Sequence, residues 1–185
     1  MYKPICGLAR DGLPIIGVFA LATLVFALLG WPCLATISLL ATIFSLNFFR
    51  DPDRTSPTEN GVAVSPADGV VCKLGEAADP ITGEKRQVVC VFMNVFNVHV
   101  NRSPVTGLVS EVRYIPGKFF NASLDKASTD NERNVIVVTD PEGARFTVVQ
   151  IAGLIARRIV CPAKAGDRLS RGERYGMIKF GSRLD

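Results

Sequence analysis

The sequence predicts a mainly β domain, a small barrel or sandwich, preceded by a membrane-embedded helical hairpin. Three observations carry this reading: one long apolar block, a series of short β-branched runs after it, and turn-forming residues between those runs. The 185-residue chain is 48% hydrophobic, and the excess is concentrated in one place. Residues 12–49 contain no Asp, Glu, Lys, Arg or His across 38 positions. Such patterning excludes a disordered chain, a collagen-like fibre and a purely soluble globular chain. A division follows, with residues 1–50 as anchor and 51–185 as the β-rich domain.

At about 1.5 Å per residue, the apolar block would form a helix of roughly 57 Å, nearly twice a ~30 Å hydrocarbon core. Gly30-Trp31-Pro32 interrupts the run, so two helices are expected, near residues 13–29 and 33–49. Thr36, Ser38, Thr42, Ser45 and Asn47 make the second more polar, which suits packing within a hairpin. Lys3 and Arg10 precede the block and Arg50 and Arg54 follow it. The positive-inside rule then puts both ends, and the domain after them, on the cytoplasmic side of the cell membrane. A single tilted span or a pair of interfacial helices is the alternative.

Beyond the anchor, strands are expected at 69–72, 87–92, 95–100, 108–114, 135–139, 146–151 and 154–160, where β-branched residues cluster between Gly, Pro, Asp and Asn. Residues 121–134 read as a long polar loop with one helical turn. Ser65-Pro66-Ala67-Asp68-Gly69 and Ser103-Pro104-Val105-Thr106-Gly107 are alike, and Ala165-Gly166-Asp167 is a third related phrase. Wording of this kind occurs in the β-hammerhead folds of lipoyl and biotinyl carriers. The portion from residue 50 onward carries a net charge of +3, without the aromatic-interleaved basic stripe of a nucleic-acid binder. With one His and five irregularly spaced Cys, neither a zinc cage nor a disulfide framework is expected.

The candidates for chemistry are few. His99, in Asn97-Val98-His99-Val100-Asn101-Arg102, shares a face with Asn97 and Asn101 if the segment is extended. It is either a half-buried strand residue or a general base near neutrality. Asp68, at the turn before a strand, is either a turn residue or the carboxylate that orients such a base. Gly181-Ser182 offers a hydroxyl beside a peptide whose glycine adds no Cβ. A base able to take the hydroxyl proton would permit an N-to-O acyl shift there.

Taken together these motifs closely resemble the phosphatidylserine decarboxylase proenzymes, in their short membrane-anchored bacterial and archaeal form. The likeness runs through Asn-Phe-Phe-Arg-Asp-Pro at 47–52, Ser-Pro-Ala-Asp-Gly at 65–69, Asn-Val-His-Val-Asn-Arg at 97–102 and Pro-Gly-Lys-Phe at 116–119. It continues through Asn-Ala-Ser-Leu-Asp-Lys-Ala at 121–127, Asn-Glu-Arg-Asn at 131–134, Ala-Gly-Leu-Ile-Ala-Arg-Arg-Ile at 152–159 and Phe-Gly-Ser-Arg at 180–183. The resemblance implies that Ser182 attacks the Gly181 carbonyl with help from His99 and Asp68. The chain is then cut into a β subunit ending at Gly181 and an α subunit beginning with a pyruvoyl group made from Ser182. That covalent ketone would serve as electron sink for decarboxylating phosphatidylserine, or a related serine phospholipid, to phosphatidylethanolamine and CO2, with no metal and no PLP. Arg102, Arg183 and Lys118 are the implied partners of substrate phosphate or carboxylate, and Asn121 borders the pocket. Phe96 stands where some members carry a second histidine.

The family's α subunit continues for some tens of residues, so residues after 185 are expected to complete the sheet. Expected partners are the phospholipid bilayer and the two subunits of one chain; a homodimer is left open by the periodicity. Two competing readings remain at this level. One is a membrane-tethered β-hammerhead carrier or adaptor, which would need an exposed modified lysine instead of His99 and Ser182. The other is a pyruvoyl-dependent decarboxylase of a soluble amino acid, which would not need the anchor.

Overall fold

The structure, a computed structural model, describes residues 3–59, 61–122, 124, 126–154, 158–179 and 182–185. It divides into two compact units, residues 3–53 and 54–185.

The first unit is two antiparallel-connected helices, α1 (Leu13–Leu28) and α2 (Pro32–Phe48). Their junction follows from three consecutive residues. Gly30 takes φ +70°, the left-handed conformation that glycine adopts without a Cβ penalty. The Trp31 N–H donates to Phe26 O (2.9 Å) and the Gly30 N–H to Ala27 O (3.2 Å), the paired bonds of a Schellman cap. The Trp31 ring stacks on Phe26 at 5.9 Å, supplying the apolar contact that accompanies such caps, and Pro32 then starts α2. At the other end, Ala9 N–H donates to Phe49 O (2.8 Å) and Asp51 N–H to Gly7 O (2.7 Å). A Cβ on Gly12 would lie 2.1 Å from the Phe49 ring, so this closure needs a glycine. Thr23 and Thr42 hydroxyls approach to 3.4 Å between the helices. The stretch Arg10–Leu28 is long and apolar enough to cross a membrane, whereas α2 is shorter; α1 buries none of its residues.

Among the described residues the second unit contains ten strands and one helical turn. In chain order they are β1 (Val70–Ala78), β2 (Lys85–Met93), β3 (Val100–Arg102), β4 (Gly107–Ile115), α3 (Ala127–Asp130), β5 (Arg133–Thr139), β6 (Arg145–Ile151), β7 (Arg158–Val160), β8 (Arg168–Leu169), β9 (Arg174–Lys179) and β10 (Ser182–Leu184). They form a seven-stranded sheet in the order β1-β2-β10-β6-β5-β4-β8 and a three-stranded sheet in the order β3-β9-β7. The expected barrel is therefore corrected: the large sheet is open, with β1 and the two-residue β8 as its edges. Met93, Val109, Ile136, Val138, Val148 and Leu184 of the large sheet share one core with Tyr175 and Ile178 of the small one. The three hammerhead-like phrases fall in different settings. Asp68-Gly69 precedes β1, Gly107 opens β4, and Ala165-Gly166-Asp167 turns into β8.

Two expected strands are altered. Residues 95–97 turn and 98–99 belong to no strand, with β3 beginning only at Val100. The cause is asparagine chemistry: Asn97 Oδ1 accepts the Asn94 N–H (2.9 Å) and Asn94 Oδ1 accepts the Phe96 N–H (2.8 Å). These local bonds outcompete the β preference of the valines. The run at 154–160 is described as strand only from Arg158; residues 155–157 lie outside the described residues.

Candidate active site

The placement of Ser182 follows from the ladder of β10. That strand lies between β2 and β6, with Ser182 opposite Met93, Arg183 opposite Phe92 and Ile151, and Leu184 opposite Val91 and Gln150. Directly opposed residues project to the same face, and neighbours along a strand to opposite faces. Ser182, Leu184, Met93 and Gln150 therefore face the layer between the two sheets, and Met93 and Leu184 belong to the shared core. Ser182 is fully buried, and among the described residues its Oγ has no hydrogen-bond partner. Gly181, the other half of the expected cleavage site, lies outside the described residues.

His99 faces the same layer. Its carbonyl accepts the Ile178 N–H (3.2 Å), next to the Val100–Met177 pair that opens the β3–β9 ladder. The His99 side thus matches that of Ile178, a residue of the shared core, and the ring is fully buried. The chain crosses from large sheet to small sheet here between Met93, which pairs with Ser182, and His99, whose carbonyl accepts from Ile178. Ser182 and His99 thus stand at the two ends of this crossing. His99 Nδ1 lies 2.9 Å from Asn97 O. A carbonyl only accepts, so Nδ1 carries the proton and Nε2 of the neutral ring holds the lone pair that a base requires.

Asp68 sits in the bend before β1. Arg102 N–H donates to Pro66 O (2.8 Å), and a Cβ on Gly69 would lie 2.4 Å from Phe92 O. The bend is thereby held between β3 and β2, beside the same crossing. The carboxylate forms an ion pair with Arg54, 14 residues upstream, and both line a cleft of about 160 Å³ with Ser65, Arg102 and Gly172. The described partner of Nδ1 is thus a backbone carbonyl, and that of Asp68 a guanidinium. A larger cleft of about 760 Å³ runs along β1 and β2 and includes neither His99 nor Ser182 in its lining.

The expected substrate contacts separate into two groups. Phe96 is 67% exposed, and Lys118 and Asn121 are exposed. The Lys118 and Lys126 ammonium groups lie 5.7 and 4.4 Å from the Phe120 ring centroid, both within cation–π range. Arg102 and Arg183 are buried. Arg102 Nη1 donates to Gly172 O (3.1 Å). Arg183 projects to the face away from Ser182, where Nη2 donates to Asp185 Oδ2 (2.8 Å), Ser128 Oγ (2.6 Å) and Cys90 Sγ (3.0 Å). Burial works to lower the Arg183 pKa, but the bonded Asp185 carboxylate, with the nearby Cys90 and Cys72, outweighs it and holds the guanidinium above its ordinary value. Burial and the neighbouring Asp185 push the Cys90 thiol up to about 12.

Sequence reasoning missed Arg54 as the partner of Asp68, and Gln150, whose side chain bonds those of Asn134 and Asn101. The Gln150 signal was readable: one polar residue interrupts the apolar run Val148-Val149-Gln150-Ile151.

Residues 41–185 match the model of the family described as phosphatidylserine decarboxylase. The chain is 96% identical over all 185 residues to a phosphatidylserine decarboxylase proenzyme of Solidesulfovibrio magneticus, covering 86% of that protein. It is 60% identical over its full length to a protein of the same name from Nitratidesulfovibrio vulgaris, covering 85% of it. A proenzyme of that name from Beijerinckia indica is 53% identical over 179 residues, 95% of this chain and 76% of the relative. With its serine on a central strand and its one histidine at the same crossing, the chain belongs to the phosphatidylserine decarboxylase family.

Proposed function

We propose that this chain is a self-processing, pyruvoyl-dependent decarboxylase that converts phosphatidylserine, or a closely related serine phospholipid, to phosphatidylethanolamine and CO2. The observation that carries the reading is a fully buried serine hydroxyl without a described partner, at one crossing with a histidine whose Nδ1 is occupied by a carbonyl. Burying a hydroxyl unpaired is costly, and a nucleophile held ready for a carbonyl is a reason to keep one.

In the processing step, Ser182 Oγ attacks the Gly181 carbonyl carbon and its proton passes to His99 Nε2. The Gly181–Ser182 C–N bond breaks as the ester forms, and the freed amine takes a proton. Loss of the Ser182 α-proton then expels the Gly181 carboxylate, and water replaces the nitrogen, which leaves as ammonia. Asp68, paired with Arg54, borders this crossing.

A pyruvoyl group fits the position because a ketone, unlike a hydroxyl, has no proton to donate and tolerates the apolar side of Met93 and Leu184. When present it supplies an electron sink for loss of CO2. His99 would hold the proton that the product carbon needs. Lys118 and Asn121, both exposed, would meet the headgroup, with Phe96 at its edge. Arg102 backs the cleft that holds Asp68, and Arg183 fixes β10 from behind. The apolar helix supports a bilayer as partner, and the flanking Lys3, Arg10, Arg50 and Arg54 support a cytoplasmic placement of the domain.

Intact-mass measurement of the full-length protein tests this reading. Two fragments are expected, one ending at Gly181 and the other lighter by one ammonia than its serine-started form; Ser182→Ala should remain one chain. Release of labelled CO2 from carboxyl-labelled phosphatidylserine in vesicles should accompany the cleaved form alone. One uncleaved mass for the unaltered protein would falsify self-processing.

A further inference from the structure

A bulge interrupts the β1–β2 ladder at a cysteine. Val71 lies opposite Val91 and Lys73 opposite Cys90, which leaves Cys72 as the extra residue. In a bulge two residues of one strand oppose one of its partner, so Cys72 and Lys73 share Cys90 between them. The Cys72 thiol donates to the Cys90 carbonyl at 3.4 Å, and neither cysteine is in a disulfide. Directly opposed residues of an antiparallel pair have Cα atoms about 4.5–5.5 Å apart, within the roughly 4.4–6.8 Å that a disulfide spans.

Arg183 marks the face on which the two sulfurs lie. It stands opposite Phe92, two residues from Cys90 and so on the same side of β2, and its Nη2 is 3.0 Å from Cys90 Sγ. Cys72 and Cys90 both act electrostatically on its guanidinium. The pair therefore sits on the face away from Ser182. The two thiols differ in access: Cys72 is exposed and Cys90 buried. Burial, then Asp185, push the Cys90 thiol up to about 12. An oxidant in solution meets Cys72 first, and Cys90 is its neighbour across the ladder.

We propose that Cys72 and Cys90 form an oxidation site, at which a peroxide converts the two thiols into a reversible cross-strand disulfide tying the edge strand β1 to β2. The Cys72 thiolate takes one oxygen from the peroxide and becomes a sulfenic acid, while the peroxide is reduced to water or an alcohol. The Cys90 sulfur then attacks the Cys72 sulfur. The S–S bond forms, the S–O bond breaks, and the Cys90 proton leaves with the hydroxide as water. Arg183, beside the Cys90 sulfur, favours the thiolate that this attack requires. Two electrons leave the thiols for each peroxide reduced, and a dithiol returns them.

The test treats the full-length protein, in a non-denaturing detergent, with hydrogen peroxide, followed by an acid quench and intact-mass measurement. A loss of about 2 Da is expected, two hydrogens for one disulfide, and dithiothreitol should restore the mass. Trypsin cuts after Lys73, Lys85 and Arg86, so the Cys72 and Cys90 peptides travel together only when the disulfide joins them. In Cys72→Ser the loss should vanish. In Cys90→Ser, dimedone should find a sulfenic acid at Cys72 with no thiol to resolve it. An unchanged mass overturns the proposal, as does a link from Cys72 to any other cysteine, or sulfinic acid at Cys72 with Cys90 still a thiol. Should Cys90→Ser not fold, the unaltered protein and Cys72→Ser decide. Both cysteines precede Gly181, so the readout is the same in a cut or an uncut chain, and its failure leaves the self-processing reading standing.

Discussion

β1 and β5 are apolar strands of one sheet with opposite fates. Every residue of β1 is exposed, with Val70, Val71 and Leu74 at 65%, 52% and 71%, whereas Val135, Ile136, Val137 and Val138 of β5 are fully buried. Hydrophobicity does not separate them; position does. β5 has β4 and β6 on its flanks and a cluster on each face, Ile136 and Val138 in one and Val135 in the other. β1 has one neighbour and fronts the open cleft. β2 passes from one condition to the other along its own length: it is open to solvent from Lys85 to Val89 and closes over from Cys90, where β10 joins it. The candidate active site begins where that change occurs.

The largest effect should come from charge. Arg183 and Asp185 form a buried pair, with side chains 2% and 9% exposed. Arg183→Met leaves the Asp185 carboxylate buried without its cation and should cost about 3–5 kcal/mol in denaturant unfolding. Arg54→Met, at a pair exposed to 46% and 34%, should cost no more than about 1 kcal/mol. Equal losses would break the distinction between the buried and open sides.

Next in size is side-chain truncation. Ile136→Ala should destabilise by about 2–5 kcal/mol through lost transfer energy and a cavity, while Leu74→Ala should stay within about 0.5 kcal/mol. A large loss at Leu74 would show that β1 is covered in solution.

A smaller effect concerns the tie between the β1–β2 hairpin and β6. Asp79, in the loop after β1, accepts from Thr147 Oγ1 of β6 (2.6 Å) and from the Ile81 and Thr82 N–H groups (2.8 and 3.1 Å). Burial alone would raise its carboxyl pKa, but those bonds and Arg86 outweigh it, and the net direction is down. A folded-state pKa below the unfolded one adds stability above the ordinary carboxylate range and loses it as pH falls through the folded value. The stability gap between the unaltered protein and Asp79→Asn should therefore be widest near neutrality and close in acid, as read by melting at stepped pH.

The smallest test is chemical. Cys72 on β1 is exposed, whereas Cys90 is buried with its thiol pushed up to about 12. A maleimide at about pH 8 should label Cys72 and spare Cys90, since the thiolate is the reactive form. Labelling of native Cys90 would mean that β2 opens where β10 joins it.

What the sequence revealed was what local chemistry decides. The Gly30-Trp31-Pro32 break is a cap and a proline start, both written in neighbouring residues. β5 declares itself by an unbroken β-branched run, and β6 by one interrupted at Gln150. The turn at Asn94–Asn97 was hidden because its valines argue for a strand, while the asparagine bonds that defeat them depend on geometry. β8, β9 and β10 were not anticipated: β8 and β10 are two and three residues long, and all three carry arginine, so only their partners make them strands. At the site, His99 and Ser182 stood out by residue type and motif. The Arg54–Asp68 pair and the Asn134–Gln150–Asn101 chain did not, because each is made by side chains distant in sequence.

The position of β10 also bears on what a cut at Gly181–Ser182 would yield. Ser182–Leu184 lies between two partners, and the Asp185 N–H and carbonyl extend the ladder to Val149 at 3.1 and 2.8 Å. The two products would therefore share a sheet, one supplying an inner strand to the other. Separating them means extracting a slat from the middle of the weave, with ladder bonds on both sides and Arg183 pinned behind. A nicked molecule should accordingly travel as one particle through gel filtration, and come apart only in denaturant.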